Sequence, residues 1–141
     1  MNRKELSKYY HLTMEIKDLE EKIKELDLTL ISSPILTGMP HSNKISNPTE
    51  QKSILTLTLK RKLEKRKEKA LNELNKIEDY ISSIEDTEIR QIFSKRYIQL
   101  KKWEEIAQEM FMSERNIYRK HSKYLKEKRN DRGNDTIHKT T

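Results

Sequence analysis

The chain has 141 residues, 38% charged and only 33% hydrophobic, no cysteine, and a net charge of +7. This balance excludes a large globular core, a disulfide framework and thiolate metal sites, and it fits long solvent-bathed helices that bury a narrow seam. No run of about 18 apolar residues could cross a bilayer, and Met1 leads straight into charged residues, so the expectation is a soluble, cytoplasmic protein with no membrane partner. The positive charge makes nucleic acid the leading partner on electrostatic grounds. It is concentrated: residues 95–141 hold 13 Lys and Arg against 7 Asp and Glu, which places +6 of the +7 in the C-terminal third.

In chain order, residues 2–31 read as one long helix. Tyr9, Leu12, Ile16, Leu19, Ile23, Leu26 and Leu30 alternate at spacings of three and four, the apolar seam of a coiled coil, among Lys, Glu and Asp. Such a seam must be covered. It can fold back on a second helix as an antiparallel hairpin, or pair with another copy as a homodimer. Residues 32–47, SSPILTGMPHSNKISN, carry two prolines, a glycine and four serines and are expected to be a loop. Asn47 as cap and Pro48 at the first helical position restart the chain as a helix. That helix runs to about Ile84, with a seam at Ala70, Leu74, Ile77, Ile81 and Ile84. Its middle, KRKLEKRKEK at 60–69, has Leu63 as its lone apolar residue and seven cations against two acids. A solvated coiled-coil face is one reading of this stretch, a nucleic-acid patch the other. Residues 1–85 thus form a coiled-coil region.

Asp86 and Thr87 are suited to cap a shorter helix with Ile89, Ile92, Phe93, Tyr97 and Ile98 as apolar positions, and 99–102 is a brief link. Then comes WEEIAQEMFMSERNIYRKHSKYL at 103–125. Trp103, Ile106, Ala107 and Met110 make the stripe of one amphipathic helix, and Ser113 is suited to cap the next. That last helix has Ile117, His121, Tyr124 and Leu125 on one side and Arg115, Arg119, Ser122 and Lys126 opposite. Two short helices, a tight turn and a basic outer face describe a helix-turn-helix whose second helix enters the major groove of double-stranded DNA. An ordinary helical hairpin with a solvated charged face fits the same spacing. On the DNA-binding reading, Arg115 and Arg119 are the expected base readers. Ser113, Lys101, Lys102 and Lys123 are placed for phosphates, and Asn116, Tyr118, Ser122 and Lys126 complete the candidate surface. The unit is bounded at 86–128, and 129–141 is expected to be a disordered basic tail. The fold class expected is all-α.

The string RYIQLKKWEEIAQEMFMSERNIYRKHSKYLK resembles the region-4-like helix-turn-helix of sigma factors. With the opening MNRKELSKYYHLTMEIKDLEEKIKEL and the SSPILTGMP that follows, nearly the whole chain resembles the phage and prophage late transcriptional activators of the ArpU and RinA group, the specific part being residues 89–125. The resemblance implies a regulator that binds promoter DNA and switches on late genes with host RNA polymerase. It also implies that Ala107 is the small residue where the two helices cross, Ile117 the apolar anchor and Ser113 the cap. Two positions depart from that pattern: Phe111 stands where the turn usually holds glycine, and Lys102 where Ser or Thr often caps the first helix. A packaging protein similar to a small terminase subunit is the alternative, since it also joins a helix-turn-helix to a coiled coil. A coiled-coil adaptor without DNA contact is a third reading.

Enzyme chemistry finds no pattern. His11, His41, His121 and His138 have no metal-ligand spacing, and there is no glycine-rich phosphate loop or nucleophile elbow. No catalytic residue, metal or cofactor is expected. His121 is expected at the edge of the helix-turn-helix core.

Overall fold

A computed structural model describes residues 1–32 and 48–135; His41 and all but the first residue of the expected loop lie outside them. Among the described residues the secondary structure is entirely helical, as the sequence predicts: α1 Arg3–Leu6, α2 Lys8–Ser32, α3 Pro48–Ser82, α4 Thr87–Phe93, α5 Trp103–Glu109 and α6 Glu114–Asp135. A π-helical turn, Ser94–Ile98, extends α4. None of these helices is long and apolar enough to cross a membrane.

The first expected helix is interrupted. Asn2 caps α1, its side chain accepting from the Glu5 N–H at 2.9 Å while the Glu5 carboxylate accepts from the Asn2 N–H at 2.7 Å. After one turn Ser7 bends the path, its hydroxyl donating back to the Arg3 carbonyl at 2.9 Å. The chain divides into two compact units, Leu12–Ala70 and, discontinuously, Met1–His11 with the chain from Leu71 onward.

In the Leu12–Ala70 unit, α2 and α3 pack antiparallel, so of the two pairings open to the sequence the structure has the hairpin. Glu15 pairs with Arg66 at 3.1 Å, Glu20 with Lys67 at 3.6 Å and Asp27 with Lys60 at 3.9 Å, joining the start of one helix to the later part of the other. Leu12, Ile23, Leu63 and Ala70 are buried. Three of the seven cations of the 60–69 stretch therefore face carboxylates of α2, as the coiled-coil-face reading has them. All three pairs are about half exposed, and such pairs contribute roughly 0–1 kcal/mol each. Arg66→Ala or Lys67→Ala should accordingly shift the urea midpoint of this unit by less than the equivalent of about 1 kcal/mol. A larger loss would mean the pairs, rather than the apolar seam, hold the hairpin.

The other unit has one continuous core. Ile89, Ile92, Phe93, Tyr97, Ile106, Ala107 and Ile117 supply the helix-turn-helix side, as their spacing predicts. The same core also takes in Leu6 from α1 and Ile77, Ile81 and Ile84 from the end of α3 and just beyond. A boundary at residue 85 therefore does not match the packing. The helix-turn-helix unit begins inside α3 and includes the first turns of the chain, because their apolar side chains have no other core to join.

The expected tail needs a second correction. α6 continues to Asp135, so 129–135 are helical and only 136–141 lie outside the described residues. This segment contains no proline. The preceding turns carry local support, with Lys123 3.8 Å from Glu127 at the i,i+4 spacing and the Lys128 ammonium over the Tyr124 ring.

Candidate nucleic-acid interface

The path into α5 is set by backbone geometry that few side chains tolerate. Gln99 donates to the Ser94 carbonyl at 3.0 Å, closing the π turn, and Leu100 then takes a left-handed conformation at φ 57°. Arg96 secures the bend: its guanidinium donates to the Lys101 carbonyl at 2.8 Å and lies 4.7 Å from the centre of the Trp103 ring. Lys102 has no side-chain acceptor with which to cap α5. The Glu105 carboxylate compensates in part by accepting from the Lys102 N–H at 2.7 Å.

α5 ends at Met110, and Phe111 adopts φ 53°, the left-handed position where glycine is usual. The Phe111 side chain is 96% exposed, so no burial offsets the strain. The turn is completed by Met112 donating to the Ala107 carbonyl at 3.0 Å, and Ser113 caps α6 by accepting from the Asn116 N–H at 3.2 Å. Behind the turn, Ile106, Ala107 and Ile117 are buried where α5 and α6 meet. This is the helix-turn-helix arrangement the spacing predicts, with a phenylalanine in the turn.

The aromatic packing beneath α6 centres on His121. It is not at the edge of the core but fully buried, its ring between 4.9 and 6.3 Å from those of Phe93, Tyr97, Trp103 and Tyr118. Its Nε2 shares a 2.6 Å hydrogen bond with the Tyr97 hydroxyl, and its Nδ1 has no partner among the described residues. Burial, with Arg3 and Arg96 adding to it, pushes the His121 pKa down to about 4, and burial pushes the Tyr97 hydroxyl up to about 12. At neutral pH the histidine is an uncharged packing residue that fixes how α6 sits.

The outer surface of α6 carries the candidate contacts. Arg115, Arg119, Lys123 and Lys126 are exposed. Arg119 is held by its own helix, its Nη2 donating to Asn116 Oδ1 at 2.9 Å, so Asn116 orients this guanidinium. Tyr118 and Ser122 are not bare: Arg3 donates to the Tyr118 hydroxyl at 3.1 Å and to Ser122 Oγ at 3.2 Å, and its guanidinium lies 5.3 Å from the Tyr118 ring centre. The hydrogen bond from Arg3 also lowers the pKa of the Tyr118 hydroxyl. The sequence gives no local sign of this, because 115 residues separate Arg3 from Tyr118.

The phosphate candidates divide. Ser113 is spent on capping α6, although it remains exposed. Lys102 is exposed at the start of α5. Lys101 is half-buried, and its ammonium, with that of Lys95, is bound to the Glu109 carboxylate, whose pKa those hydrogen bonds lower. Lys101 is thus committed within the protein and is the weakest of the predicted contacts. Among the described residues no group of three His, Cys, Asp or Glu side chains could hold a metal ion. Comparisons with protein-family models, with curated proteins and with solved structures gave no match.

Proposed function

We propose that the protein is a sequence-specific DNA-binding transcriptional regulator that inserts the N-terminal half of α6 into the major groove. The observation that carries this reading is the exposed row of cations Arg115, Arg119 and Lys126 on a helix anchored at its start by Ser113 and from behind by Ile117 and His121. A helix fixed on its apolar side and basic on its outer side is the geometry that presents first-turn side chains to base edges. The resemblance of residues 89–125 to sigma region 4 and to late phage activators extends the proposal to promoter DNA and to host RNA polymerase as partner.

Competition binding with a selected operator and a scrambled duplex tests the reading. Arg115→Ala and Arg119→Ala should each lose about 1–3 kcal/mol on the operator and little on the scrambled duplex, because arginine at these positions pairs with guanine O6 and N7. Lys123→Ala should weaken both alike, as a phosphate contact does. No preferred sequence emerging from selection with the wild-type chain would refute sequence-specific binding.

A further inference from the structure

Where α1 lies against the second half of α6 there is an open pocket of about 590 Å³. Six cations line it: Arg3 and Lys4 from α1, and Lys126, Lys128, Arg129 and Arg132 from α6. No carboxylate is among its lining side chains. Of the acids close to these cations, Glu127 lies by Lys123, and Glu5 accepts from the Asn2 N–H while also feeling the charge of Arg132. Crowding like charges on one cavity is unfavourable unless an anion shares it, and a pocket with charged walls concentrates such anions.

Its position along α6 matters as much as its charge. At a rise of about 1.5 Å per residue, Lys126 lies about 16 Å beyond Arg115 along the axis, and Arg129 about 21 Å beyond it. The major groove is about 12 Å wide, so when Arg115 and Arg119 are in the groove the pocket lies past its edge, where the sugar–phosphate strand runs. Lys126 and Arg129 also fall on the same side of α6 as Arg115 and Arg119, counting roughly 100° per residue. Arg3 ties the two walls together through Tyr118 and Ser122.

We propose that this pocket is a phosphate-binding clamp, formed by the N-terminal turn folding back on α6, which grips the backbone flanking the groove that α6 reads. The proposal rests on the DNA-binding reading for the source of the phosphate, but its chemistry does not: a free polyphosphate would satisfy the same cations. The clamp gives α1 a role no local motif announces, since it supplies one wall and anchors part of the reading surface.

The test compares the full-length chain with Lys4→Ala/Arg129→Ala, both exposed positions, on a random-sequence duplex over a series of salt concentrations. Helical circular dichroism serves as the folding control, with Arg129→Gln alone as the milder variant. Each lost phosphate contact lowers the slope of log K against log salt by about 0.9, so the double variant should lose about 1.8 and the single about 0.9. Titration with inorganic tripolyphosphate supplies the second arm. An unchanged slope beside intact wild-type DNA binding overturns the clamp and leaves the regulator standing. Tripolyphosphate binding that the double variant loses, in a chain that binds no DNA, supports the phosphate site and sinks the DNA reading. Binding of neither ligand overturns both.

Discussion

Leu6→Ala should destabilise the helix-turn-helix unit by about 2–5 kcal/mol, the range for emptying a buried leucine site. Leu6 has 0% exposure and belongs to one core with Phe93, Ile106 and Ile117, although about 100 residues of chain separate it from the nearer helix of the motif. Trp103, the only tryptophan, packs against this core and reports on it by fluorescence during urea unfolding. The Trp103 transition should move to lower urea with its slope kept. DNA binding should weaken in parallel, because α1 anchors part of the surface of α6. A shift worth less than about 1 kcal/mol would show that the motif's core closes without α1. Removing residues 1–11 should have a larger effect in the same direction, since Arg3 and its contacts to Tyr118 and Ser122 are lost as well.

Acid should loosen the same unit through one residue. Burial holds the His121 pKa at about 4, against 6.5 for a free histidine. Between those values the unfolded chain takes up a proton that the folded core refuses. The folded-state pKa is depressed, so the contribution is complete above about pH 6.5 and is lost as pH falls towards 4, amounting to about 3 kcal/mol in all. Carboxylates titrate in part of the same window, so the informative quantity is the difference between wild type and His121→Phe. The variant keeps an aromatic ring beside Phe93 and Trp103 and gives up the Tyr97 hydrogen bond, so it starts from lower stability at pH 7. Its stability should then decline less between pH 6.5 and 4. Parallel curves for the two proteins would mean that the histidine already titrates normally in the folded state.

The candidate site was legible where its physics is local. Ser113 as a cap, Ile106, Ala107 and Ile117 as the crossing, and Arg115 and Arg119 on the outer face follow from side-chain chemistry and helical period, and the structure places each accordingly. The departure at Phe111 was legible too: the turn needs a left-handed residue, and the chain puts phenylalanine there at φ 53°. What could not be read was which residues near the site are already engaged. Glu109 is eight residues from Lys101 and takes up its ammonium only because the bend after the π turn brings α5 alongside. His121 looked peripheral because a helical wheel shows direction and not depth; the rings of Phe93, Tyr97 and Trp103 close over it only in the packed unit.

The sequence by itself determined the all-helical class, the seam of α2, the starts of α3, α4 and α6, and the basic outer face of α6, because caps, periodicity and composition act within a few residues of each other. Tertiary structure alone decided that the α2 seam folds onto α3. It also decided that Leu6 and Ile77 share the core of the helix-turn-helix, and that Arg3 lies on Tyr118 and Ser122. The physical reason is the same each time. An apolar seam or a lone guanidinium states what kind of partner it needs, and only the closing of distant chain segments determines which partner it meets.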